Sequence, residues 1–244
     1  MLELRDLVKH YLLGGGEPIR AVDGVSMEIA RGEFVALYGP SGSGKTTLLE
    51  LIAGLQAPDS GSVLVEGRDV VAMSRREGDE YRLRQLGIIG QPQNLIPGAK
   101  AIQNASLKLL LMSVRRAPRR IEPLLGQLGL GDRLQHSTEQ LSMGERQRVL
   151  IALALSTDPK LVLADEPTGN LDTQRTREVL SLLRDLCRER DMALLLATHD
   201  PQAAAFADQV HELRDGRLGG YTPDHKPAPA QDAARGIGAS VWRE

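Results

Sequence analysis

GPSGSGKT, residues 39–46, fits the pattern Gly-x-x-x-x-Gly-Lys-[Ser/Thr]. The stretch before it, EFVALYG, reads as a strand, and KTTLLELIAGL after it reads as a helix ending near Gly54. A glycine-rich turn between strand and helix lets successive backbone N–H groups curl around a phosphate. Gly39, Gly42 and Gly44 supply the bare backbone, with Pro40, Ser41, Ser43 and Thr47 around it. Lys45 can reach the β and γ oxygens of a nucleoside triphosphate, and the Thr46 hydroxyl can bind Mg²⁺.

A second element fits the first. KLVLADEP (160–167) is a continuous apolar run ending in two acids, as a buried parallel strand would be. Its C-terminal end falls where open α/β sheets bind ligands. Asp165 is placed to hold Mg²⁺ through water. Glu166, pointing the other way, is placed to polarise an attacking water.

The rest of the chain alternates strand and helix. LELRDLV, VSMEIA and SVLVEG read as strands, TQRTREVLSLLRDLCRER as a helix with an apolar stripe, and MALLLATHD as a second buried strand. VHELRDGRL reads as a hairpin. Residues 92–140 mix turns, Leu-rich helical pieces and the charged run VRRAPRRIE, and read as a helical insertion. The arginines of that run suit a solvated helix end, with lipid headgroups or a permease as the alternative. Residues 221–244 are rich in Ala and Pro, a loosely held tail. The pattern predicts an α/β fold with a mainly parallel sheet.

The 244 residues are 41% apolar, enough for a packed core. A net charge of -2 argues against a nucleic-acid partner. The single cysteine, Cys187, excludes an intramolecular disulfide. The start, MLELRDLVKHY, lacks the apolar core of a signal peptide, and no apolar run reaches membrane-span length.

QLSMGERQR (140–148) contains a Ser-x-x-Glu capping box, Ser142 and Glu145, before the apolar run VLIALAL. As a helix start it needs no further explanation, yet a capped helix N-terminus is also an anion site. LSMGERQR resembles the LSGGQ signature of the ABC (ATP-binding cassette) ATPases, and it lies between the phosphate loop and the DE strand as in that family. Other features follow the family's order. Tyr11 resembles the aromatic that stacks on adenine. Gln91, in IIGQPQNLIP, resembles the Q-loop glutamine that senses Mg²⁺ and the attacking water. GNLD, ending at Asp172, resembles the D-loop, and His199, in LATHD, the switch histidine that contacts the γ-phosphate.

The resemblance covers residues 1–220. It implies a P-loop cassette with a mainly parallel central sheet, an N-terminal antiparallel β part and a helical subdomain at about 92–155. It implies ATP and Mg²⁺ as cofactors, with Thr46, Gln91 and Asp165 at the metal and Lys45, Gln91, Glu166 and His199 in catalysis. Two copies would pack head to tail, each ATP lying between one copy's loop and the other's Ser142, Met143, Gly144 and Glu145.

GGGEPIRAVDGVSMEI and DEPTGNLD resemble the macrolide-exporter and lipoprotein-releasing branch, whose permeases are FtsX-like. That implies a separate integral membrane permease, contacted through about residues 92–112, and a place on the cytoplasmic face of the inner membrane. An FtsE-like cell-division ATPase is the near alternative. Soluble repair types carry long coiled coils, and translation types two cassettes; this chain has no sustained heptads and one phosphate loop. Two departures stand out. Gly90, followed by Pro92, takes the place of an aromatic before Gln91, and Met143 replaces the signature's first glycine.

Overall fold

The computed structural model describes residues 1–12, 18–90, 94–169 and 171–220. Gln91 and the 221–244 tail lie outside the described residues.

The strands form two sheets. An antiparallel one runs in the order β2-β1-β4-β5, from β1 (Leu2–Tyr11), β2 (Ile19–Ile29), β4 (Ser60–Val65) and β5 (Arg68–Asp69). The other has the order β10-β9-β3-β8-β7-β6. Its members are β3 (Phe34–Tyr38), β6 (Leu86–Ile89), β7 (Leu161–Asp165), β8 (Ala193–Thr198), β9 (Gln209–Arg214) and β10 (Arg217–Gly220). Every pair in this sheet is parallel except β10 on β9. The architecture is the expected one: a mainly parallel sheet beside an antiparallel β part.

Composition places the strands. β3, β7 and β8 are almost wholly apolar because both their faces are covered. Val35, Leu37, Leu163 and Leu195 face a core shared with the antiparallel sheet and with α1 (Lys45–Ile52). Phe34, Val162, Leu194 and Leu196 face a second core. The helices inserted between β6 and β7 are α3 (Ala101–Ala105), α4 (Leu107–Leu111), α5 (Ala117–Gln127) and α6 (Met143–Leu155), of which α3, α5 and α6 roof that core. The arginines at 115, 116, 119 and 120 are exposed at the start of α5.

α7 (Thr173–Glu189) buries Val179, Leu180, Leu183, Leu186 and Cys187, the predicted stripe. Its first turn is capped by Asp172, whose carboxylate accepts the Arg175 N–H at 2.9 Å. α8 (Pro201–Ala204) is one turn long. α1 stops at Ile52, short of Gly54, which takes a left-handed φ of 62°. β9 and β10 join through Asp215 and Gly216, at φ 49° and 76°, the paired left-handed residues of a two-residue hairpin turn. α2 (Arg75–Arg84) and β6 were not foreseen; α2 starts on a capping box of Ser74 and Glu77.

Candidate nucleotide site

The glycine loop, residues 39–44, joins the end of β3 to the start of α1 and is shaped by contacts that leave no room for a side chain at Gly39 or Gly44. A Cβ on Gly44 would run into the Ala21 carbonyl, and one on Gly39 into the Leu213 carbonyl. Gly44 also has φ 104° and Gly42 φ 82°, conformations that L-residues rarely adopt. The first-turn N–H groups of α1 have no intrahelical acceptor and are free for an anion. Ser43 Oγ is buried with no hydrogen-bond partner among the described residues. An orphaned buried hydroxyl in a loop of bare backbone is what a phosphate would complete.

Lys45 is buried, and its Nζ donates to the carbonyls of Gly39 at 2.7 Å and Pro40 at 2.9 Å. Burial pushes its ammonium below the ordinary range, while the charges of Glu166 and Asp165 pull it back up. The Thr46 hydroxyl donates to Asp165 Oδ2 at 3.0 Å. The Asp165 carboxyl is raised, first by burial and further by Glu166, against the opposing pull of the Thr46 hydrogen bond and of Lys45. A carboxylate so placed beside a hydroxyl is one a divalent cation would stabilise. Among the described residues no group of three or more His, Cys, Asp or Glu could hold a metal unaided. A cation here would take its remaining ligands from phosphate and water.

Asp165 and Glu166 diverge. Glu166 has φ 48°, a left-handed conformation for a non-glycine residue. Its Oε1 accepts the His199 N–H at 3.0 Å and lies 2.7 Å from His199 Nδ1. The Thr198 hydroxyl donates to Oε2 at 3.4 Å. A cavity of about 220 Å³ opens beside Glu166 and His199, with Thr168 and Gln202 on its wall. β3, β8 and β7 run parallel in that order, so the residues at or just past their C-terminal ends, Lys45 and Thr46, His199, and Asp165 and Glu166, converge at one end of the sheet.

The remaining expected residues stand apart. Ser142 N-caps α6; its hydroxyl accepts the Glu145 N–H at 3.3 Å, and Glu145 Oε2 accepts the Ser142 N–H at 2.8 Å. That backbone bond, with the Ser142 hydroxyl and Arg133, holds the Glu145 carboxyl down at about 2. Met143 is 40% exposed. Gly144 faces Leu171 and Arg175, so the α6 start sits beside the Asp172 cap. No hydrogen bond among the described residues joins Ser142 to the glycine loop of its own chain. Tyr11 ends β1, its hydroxyl donating to Gln56 at 2.6 Å. Ser41 lies in the glycine loop and Thr47 in the first turn of α1.

Sequence reasoning missed the buried Gln147, whose amide reaches the Gly90 carbonyl at 3.5 Å, linking α6 to the segment before Gln91. It also missed that residues 21–23 and 213–217 stand behind the loop. The DG turn in VHELRDGRL was their only local signal.

A strand–glycine loop–helix unit, with acids at the end of a parallel strand of the same sheet, defines the class of P-loop nucleotide hydrolases. Residues 22–169 match the ABC transporter family. The chain is 41% identical over 225 residues to the lipoprotein-releasing system ATP-binding protein LolD 2 of Chlorobaculum tepidum, over 89% of this chain and 91% of that one. It is 43% identical over 220 residues to the macrolide export ATP-binding/permease protein MacB of Rhodopirellula baltica, over 88% of this chain but 32% of that longer protein. Among solved structures it resembles the ATP-binding cassette MJ0796, described as a dimer in a post-hydrolysis state bound to ADP and Pi. That match has TM-score 0.81 and 34% identity, and covers 89% of this chain and 96% of that one. The chain belongs to the ABC transporter ATP-binding family, in the branch that includes LolD- and MacB-type proteins, and it binds and hydrolyses ATP.

Proposed function

We propose that this ATPase dimerises head to tail on ATP and drives a separate FtsX-like permease from the cytoplasmic face of the inner membrane. The observation that carries the catalytic half is the convergence of Lys45, Thr46 and Asp165 with the Glu166–His199 pair. The partner half is supported by relatives. The LolD-type relative is nearly the length of this chain, whereas the MacB-type relative is about three times as long and is named as ATP-binding and permease protein together. Among the described residues no helix is long and apolar enough to cross a membrane.

In this reading Lys45 and the loop N–H groups neutralise the β and γ oxygens, and Thr46 and Asp165 provide the protein oxygens for Mg²⁺, which offsets phosphate charge. Glu166 accepts a proton from water as that water attacks the γ-phosphorus, and the bond to ADP breaks in line. His199 orients Glu166 and faces the γ-phosphate. Gln91, outside the described residues, would sense the water and the metal, and Tyr11 would stack on adenine. Ser142, Met143, Gly144 and Glu145 of each copy close over the γ-phosphate held by the partner subunit's Lys45, with Asp172 beside them. The cassette spans residues 1–220, and about 92–112 of the helical subdomain (92–155) receive the permease.

Glu166→Gln tests both halves. It should bind ATP, lose roughly 10²–10⁴-fold in turnover for want of a general base, and sediment as a dimer with ATP. The parent should be monomeric without nucleotide. Normal turnover in Glu166→Gln would refute the role of Glu166, and a stable nucleotide-free dimer would refute ATP-driven association.

A further inference from the structure

The wall behind the glycine loop belongs to none of the motifs. The Gly216 N–H donates to the Ser43 carbonyl at 3.3 Å, and the Gly216 carbonyl accepts the Asp23 N–H at 2.8 Å. A backbone bridge therefore runs from β2 through the β9–β10 turn to the loop. The same two segments press on its glycines, Ala21 against Gly44 and Leu213 against Gly39.

A charged lock closes the bridge. Arg217 donates to Asp23 Oδ2 from Nε at 3.0 Å and from Nη2 at 2.8 Å. His10 Nε2 lies 3.1 Å from Asp23 Oδ1, and Arg20 Nη1 stands 3.6 Å from Oδ2. His10 immediately precedes Tyr11 on β1. An isolated exposed ion pair contributes little; here both arginines are mostly exposed, but Asp23 is only 16% exposed and is shared by Arg217, Arg20 and the His10 ring, a network rather than an isolated pair. The lock is also needed where it sits. β10 is an edge strand that pairs only with β9 among the described residues; no strand ladder joins it to β2, and the Asp23–Gly216 backbone bond and this ion pair tie the two together.

We propose that Asp23 and Arg217 are positioning residues for ATP: their ion pair holds the C-terminal hairpin to β2 and thereby fixes the Ser43 peptide, the glycine loop and the Tyr11 strand as one unit. Neither residue touches nucleotide in this scheme; they act through Ser43 and Gly44. The inference rests on the ATP-site reading above. Glu166 and His199 follow the ends of β7 and β8, which make no part of the lock, so loosening it leaves this water-activating pair in place. The expected signature is therefore a loss of affinity without a loss of turnover.

The test compares ATP titration and steady-state hydrolysis for the full chain and for Arg217→Ala, Arg217→Lys, Asp23→Asn and Lys45→Ala. Arg217→Ala should raise Kd and KM for ATP roughly five- to tenfold, as expected for removing a charge-assisted pair, with kcat within about twofold and Arg217→Lys recovering part of the affinity. Asp23→Asn, which keeps the side-chain size, should show the same split and serves if Arg217→Ala does not fold. Unchanged KM in the folded variants, or a fall in kcat at constant KM, would overturn the proposal. If Lys45→Ala loses affinity while Arg217→Ala and Asp23→Asn do not, only the positioning role fails. Unchanged affinity in Lys45→Ala would instead overturn the ATP-site reading itself.

Discussion

Gly44→Ala separates two reasons for a glycine. The new Cβ would sit more than an ångström inside the 3.0 Å limit from the Ala21 carbonyl, below which real Cβ atoms are essentially never found. Backbone and not a flexible side chain is what it meets, so the start of α1 must move away from β2. The residue also has φ 104°, and left-handed backbone costs an L-residue about 1–2 kcal/mol. The free protein relieves both by changing the loop, and ATP must restore the binding shape, so the cost appears as lost affinity. Strain and displacement together, at roughly 2–4 kcal/mol, predict an affinity loss of about 30- to 1000-fold. Gly42→Ala is the control. It has φ 82° but nothing within 4 Å of its Cβ, so only the strain remains, roughly a 5- to 30-fold loss. Calorimetric titration with ATP, alongside thermal unfolding, measures both. Parental affinity in Gly44→Ala, or a larger loss in Gly42→Ala than in Gly44→Ala, would refute the argument that the Ala21 contact shapes the loop.

Lys108, on α4, donates to the carbonyls of Arg82 at 3.2 Å and Leu86 at 2.6 Å, and burial pushes it down to about 8. Its folded value lies below its unfolded one, so the unfolded chain holds more protons between pH 8 and 10.5, and stability rises with pH across that window. The penalty carried below pH 8 is at most about 3 kcal/mol, less whatever solvent screens. Urea unfolding should show this rise in the parent and a flatter profile in Lys108→Met; equal slopes would exclude Lys108 as the source. Met143→Gly should hydrolyse ATP at least as fast as the parent, because the exposed side chain is not needed for the backbone N–H to meet phosphate. A severe loss in a simple phosphate-release assay would give that methionine a positive role.

What the sequence makes legible is what is local. The glycine loop, the DE strand end and the Ser142 capping box are short patterns whose geometry follows from spacing. The stripe of α7 is legible because its apolar residues recur at helical intervals. α2 is not: it is polar nearly all round, burying only Gly78 and Tyr81, and so has no stripe to read. β6 is four residues with a glycine among them, too short to show a period. The left-handed backbone of Glu166 follows no residue preference; it is imposed by the loop that carries the residue away from β7. The pairing of Asp23 with Arg217 joins residues far apart in the chain, and only the fold brings them together.

The sheet order has a consequence for how the protein is made. β3, which carries the glycine loop, lies between β8 and β9, with Phe34 paired to Leu194 and Val35 to Gln209. The strand is thus translated early and waits for both neighbours until most of the cassette has left the ribosome. Until the last hairpin arrives, Gly39 and Ser43 lack the carbonyl and amide that set their shape. A nascent cassette therefore offers ATP an unfinished cradle until the β9–β10 hairpin is in place.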